Sequence, residues 1–74
     1  MHKSDEEMLH DQIVREFYVL IEETENAETE KLKIWYLGQA QGILHIGIVA
    51  CILDNEEIRN MEKICKELKT WEWI

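Results

Sequence analysis

Proline is absent from this 74-residue chain, glycine occurs three times, cysteine twice and phenylalanine once. Without proline, the commonest breaker of helices is missing, and the apolar residues that recur do so at helical spacing, so an all-α fold is expected. Cys51 and Cys65 have no CxxC neighbour and are too few and too far apart for a zinc motif. They read as small buried apolar residues in a reducing cytoplasm. Positive charge is also scarce, with 8 Lys and Arg against 16 Asp and Glu and a net charge of -8. Binding to a phosphate backbone needs clustered cations, so nucleic acid is a disfavoured partner and a basic protein surface a favoured one. The opening Met1-His2-Lys3-Ser4-Asp5-Glu6-Glu7 has no apolar stretch after a basic start and does not read as a secretory signal, which leads to the expectation of a cytoplasmic protein. A chain this short makes one domain that buries about 60–65 % of its unfolded surface, so a partner or a second copy would add needed burial.

What is present falls into three segments. Ser4 with Glu7 fits a capping box and starts a helix near residue 5. Leu9, Ile13, Phe17 and Leu20, flanked by Val14, Tyr18 and Ile21, form its apolar stripe, which predicts a helix over 5–23. The stretch 22–30 holds five glutamates and no base, with Thr24, Asn26 and Thr29 as cap or turn formers. A second helix is expected over 28–53. Asp54 with Glu57 repeats the capping pattern and opens a third helix, 55–70, whose Ile58, Met61, Cys65 and Leu68 form a seam at intervals of three and four. A short aromatic tail with Trp71, Trp73 and Ile74 follows.

The second segment contains "IWYLGQAQGILHIGIVACIL", Ile34 to Leu53, without one charged side chain. As a membrane span it is weak, because Gln39, Gln41 and His45 with Gly38, Gly42 and Gly47 leave only Ile43 to Leu53 strongly apolar, about half a bilayer core. As a buried strand it has no second strand to pair with. A central helix buried on most of its circumference fits best. Each glycine within a helix costs about 1 kcal/mol relative to alanine, and close approach of a neighbouring helix is the compensation expected. Two flanking helices are too small to cover all of it. A homodimeric helical bundle is therefore expected, self-associating through Trp35, Gly38, Gln39, Gly42, Ile43, Ile46, Gly47 and Ala50.

Sites of chemistry find little support. Glu7-Met8-Leu9-His10 has the Glu-x-x-His spacing of di-iron bundles, but the apolar stripes offer no further carboxylates. Glu22-Glu23-Thr24-Glu25 and Asp54-Asn55-Glu56-Glu57 are similar to the paired acidic motifs that hold magnesium in all-α nucleotide pyrophosphohydrolases, yet both sit at helix ends and are better explained as caps. His45 reads as a buried imidazole with one hydrogen bond, and it is six residues from Cys51, which is not one helical face. No catalytic residue, metal ligand or cofactor is assigned. The acids Glu22, Glu23, Glu25 and Glu28 and the tryptophans Trp71 and Trp73 are the candidate partner-binding residues.

The stretch "WYLGQAQGILHIGIVACILDNEE", with its aromatic-x-x-Gly-x-Ala-x-Gly-Ile pattern and acidic cap, resembles a group of very short uncharacterised proteins of Gram-positive bacteria and their phages. That resemblance implies a phage or prophage accessory factor that binds and modulates a host protein. The function expected is thus stoichiometric protein binding by a small acidic module, not catalysis. An acidic DNA mimic, a single-span membrane protein and a magnesium-dependent nucleotide hydrolase are the alternatives.

Overall fold

The structure, a computed structural model, describes residues 4–70, with the Thr70 side chain outside the description; Trp71, Trp73 and Ile74 lie beyond it. Three helices and no strand occur among the described residues: α1 Asp5–Asn26, α2 Glu30–Val49 and α3 Asn55–Thr70. The all-α expectation is met.

Local chemistry accounts for each helix start. Ser4 caps α1, its Oγ accepting from the Glu7 amide at 3.2 Å, and Asp5, Glu6 and Glu7 lie at the positive end of the helix dipole. Thr29 caps α2 by accepting from the Leu32 amide at 3.2 Å. Before α3 the capping box is reciprocal: the Glu57 amide donates to Asp54 Oδ1 at 2.8 Å and the Asp54 amide to Glu57 Oε1 at 3.1 Å.

The helix ends differ from expectation. Helix α1 runs three residues past Glu23, because Thr24 and Asn26 bond backwards to the helix and do not turn the chain. Thr24 Oγ1 donates to the Leu20 carbonyl at 2.7 Å and Asn26 Nδ2 to the Glu22 carbonyl at 3.0 Å. Thr24 also continues the inward stripe of Ile13, Phe17 and Ile21 and is buried. Helix α2 starts at Glu30 and stops at Val49, short of the expected 28–53. Its end is a Schellman turn, with the Ile52 amide on the Gly47 carbonyl at 3.0 Å and the Cys51 amide on the Ile48 carbonyl at 3.1 Å. Cys51 holds the left-handed position at φ 57° and is exposed, a correction to its reading as a buried residue.

A side chain other than glycine costs about 1–2 kcal/mol in that conformation, of which glycine's larger unfolded-state entropy takes back part. Cys51→Gly is therefore expected to raise stability by about 1 kcal/mol. A urea titration checks it: the midpoint should rise with the slope unchanged.

After the turn the chain reverses and sets Leu53 over Gly47. A Cβ on Gly47 would lie 2.6 Å from Leu53 Cδ1 and 3.4 Å from Ile13 Cγ2, so this glycine serves the fold of a single chain. Leu53 joins Ile13, Phe17 and Ile21 of α1, Leu37, Ala40 and Leu44 of α2, and Met61 and Cys65 of α3 in one core. The α3 seam lies where expected, with Ile58 and Leu68 half-buried at its ends. Burial pushes the Cys65 thiol above its ordinary pKa, so it stays protonated and unreactive in the core. Most interhelix contact joins α1 to α2; α3 is held more lightly, chiefly by α2.

Candidate interaction surface

Among the described residues, only one side of α2 is covered by the rest of the chain. The inward positions Leu37, Ala40, Leu44 and Gly47 recur at three and four residues. On the opposite side stand Trp35 at 58 %, Ile46 at 58 % and Val49 at 67 % exposure, with Ile34 also exposed. Trp35 packs edge-on against Tyr36, ring centroids 5.1 Å apart, which holds the indole on this surface. Gly38 and Gly42 lie between the aromatic end and the aliphatic end, and a Cβ on either would meet none of the described residues within 4 Å. From Ile34 onward, then, α2 carries no Asp, Glu, Lys or Arg on any side, and the described residues bury it on a single face.

Of the residues expected to self-associate, Trp35, Gly38, Gln39, Gly42 and Ile46 share this outer face. Ile43 is half-buried at its edge, beside Val19 and Leu20 of α1. Ala50 is exposed but belongs to the C-cap, and Gly47 faces inward under Leu53 and leaves the set. His45 is exposed, not buried as expected, because its position falls about 100° round the helix from Leu44, off the inward stripe.

Charge is sorted between the ends and one flank. Glu22, Glu23 and Glu25 are exposed on the last turn of α1, which holds no base, and Glu28 is exposed in the link that follows. Acids at the negative end of a helix dipole are unfavourable by about 0.3–1 kcal/mol each at low salt, so local stability does not explain their presence. The other acidic group, Asp54 to Glu57, lies beyond the far end of α2, whose 20 residues span about 30 Å. No single magnesium ion can be held by both groups. Among the described residues no three His, Cys, Asp or Glu side chains come together to hold a metal.

Two features were not visible in the sequence. Arg59, Lys63, Lys66 and Lys69, four of the eight Lys and Arg, line an open groove of about 590 Å³ beside Gln41 and Leu44 of α2, with Glu62 among them. Their spacing of four, three and three along α3 was the available signal. The second feature is a bridge between helices: His10 Nε2 lies 2.6 Å from Glu57 Oε2, and His10 Nδ1 lies 3.3 Å from Asp11 Oδ1. With a carboxylate at each ring nitrogen, both N–H groups donate only when the ring is charged.

The Glu57 hydrogen bond first and the Asp11 bond second hold the His10 pKa above 6.5. Because the folded pKa is raised, the stabilisation is complete below pH 6.5 and is lost as the pH rises through the folded value. Both partners are about a third exposed, at 33 % and 30 %, so solvent screens the effect. Thermal unfolding between pH 6 and 8.5 is expected to show a falling midpoint, and His10→Gln, a neutral donor, should flatten that slope.

Among the described residues no helix is long and apolar enough to cross a membrane. Comparison with protein-family models, curated proteins and solved structures gives no match. The functional reading therefore stands on the chain's own geometry.

Proposed function

We propose that this chain is a small protein-binding module that works as an assembly of identical chains. The observation that carries it is the outer face of α2, where Ile34, Trp35, Ile46 and Val49 are exposed with two glycines between them and no charge. A contiguous apolar face rimmed by polar residues is characteristic of an interface. Burial of aromatic and aliphatic anchors supplies the affinity in such contacts. The exposed acids Glu22, Glu23, Glu25 and Glu28 stand at one end of this face, where they would steer a basic partner surface towards the module. In this reading the module acts stoichiometrically on another protein, in the manner of a phage or prophage factor that modulates a host protein.

Two measurements test it. Molar mass in solution should equal a multiple of 8.9 kDa above one. Affinity capture from the host should recover one dominant protein at fixed stoichiometry, weaker at 0.5 M salt than at 0.05 M, and lost on Glu22→Gln with Glu25→Gln. A single-chain mass removes self-association. Capture of nothing at either salt removes the binding role.

A further inference from the structure

The outer face of α2 is complementary to itself when reversed. Trp35, Gly38, Gln39 and Gly42, at i, i+3, i+4 and i+7, are the four corners of one surface hole of the kind that receives a side chain from a facing helix. Two corners have no side chain, and no described residue lies within 4 Å of where their Cβ atoms would be, so among the described residues the hole is open. Ile46, one turn beyond Gly42 on the same face, is an exposed apolar side chain of the size to fill it. We infer that this face is covered by the same face of a second chain running antiparallel, with Ile46 of each chain seated in that hole of the other. The inference rests on the reading above that the face is an interface.

Register follows from the numbers. Residue 42 is midway between 38 and 46 and between 35 and 49, so a two-fold axis at Gly42 sets Ile46 against Gly38 and Trp35 against Val49. Large residues meet small or aliphatic ones, and glycine meets glycine at the crossing. A parallel pair would set Trp35 on Trp35 and Ile46 on Ile46 and leave both holes unfilled.

The helix dipoles favour the same arrangement. From Ile34 to Val49 there is no Asp, Glu, Lys or Arg, so two chains of net charge -8 meet here without desolvating a charge. Parallel pairing would bring the two 22–30 segments, five glutamates each, side by side. Antiparallel pairing sets the two copies of residue 30 about 36 Å apart but each beside residue 54 of the other chain, so the acids do not choose the direction; the opposed α2 dipoles do.

Cysteine cross-linking decides it. In a Cys51→Ser background, Gly42→Cys, Trp35→Cys and Val49→Cys are oxidised singly and in mixtures at micromolar concentration and read on non-reducing gels. A disulfide needs Cα atoms within about 7 Å. Gly42→Cys is expected to link to itself, and Trp35→Cys mixed with Val49→Cys to give a mixed dimer. Trp35→Cys alone is expected to stay single, because its two copies lie about 21 Å apart. A Cβ at residue 42 meets none of the described residues, so that variant is expected to keep its fold, and circular dichroism checks the helix content of all three. Self-linking of Trp35→Cys overturns the antiparallel arrangement and leaves the interface standing. A chain of dimer mass that links in no arm places the contact on another face and overturns the inference. A single-chain mass overturns the interface reading itself.

Discussion

Phe17→Ala is expected to cost about 3–5 kcal/mol, about half of what holds the chain folded. Phe17 is fully buried at the centre of α1, between Ile13 and Ile21 and within the core that joins all three helices. Removing its ring withdraws the transfer free energy of a large apolar side chain and leaves a cavity that three short helices cannot close without losing other contacts. The loss is large against the whole, since a domain of 74 residues has about 4–11 kcal/mol of stability to begin with. Urea unfolding followed by circular dichroism at fixed protein concentration measures it. Phe17→Leu, which keeps most of the volume, should cost less than half as much. A cost below about 1 kcal/mol for alanine would show that the core is not organised around this ring.

Ile46→Glu is expected to act on assembly and not on the fold. In a single chain Ile46 is 58 % exposed, so a carboxylate there meets water and the helix content should hold. In a two-fold assembly the position occurs twice. Burying an isoleucine side chain is worth about 1.5–3 kcal/mol, so losing both contacts weakens association by about a hundredfold or more, before any charge is desolvated. Sedimentation or light scattering across a concentration series reads the change as a shift to 8.9 kDa. The glycines supply a control of opposite sign. Gly42→Ala adds about 1 kcal/mol of helix propensity and clashes with none of the described residues, so it should stabilise the monomer fold while weakening, not abolishing, the pairing of helices. A protein whose mass is insensitive to both changes does not associate through this face.

How much of this was legible beforehand depended on the range of the interaction. The Ser4 cap, the Asp54–Glu57 capping box and the α3 seam are local patterns: Ser4 with Glu7, Asp54 with Glu57, and Met61 with Cys65 each lie three or four residues apart. The end of α2 was not legible, because the residues after it, Ala50 to Leu53, are as apolar as those within it. The stop is carried by a left-handed cysteine where glycine is the usual signal. Gly47 could not be told from Gly38 and Gly42 in the sequence. What separates them is Leu53, which comes back over Gly47 only once the Schellman turn has formed. Thr24 and Asn26 were read as turn formers since that is where such side chains concentrate, but here their hydrogen bonds go to carbonyls four residues back. The His10 to Glu57 bridge joins residues 47 apart and has no local trace.

The light attachment of α3 has a further consequence. Helices that share little contact area separate at lower free energy than the whole domain unfolds, so α3 is the unit most easily released while the α1–α2 hairpin stays closed. Its release would uncover Leu44 on the flank of α2 that α3 shields and free the basic row of Arg59, Lys63 and Lys69 from the groove wall. The bridge from His10 to Glu57 ties the start of α3 to α1, and that tie weakens as the solution becomes more alkaline.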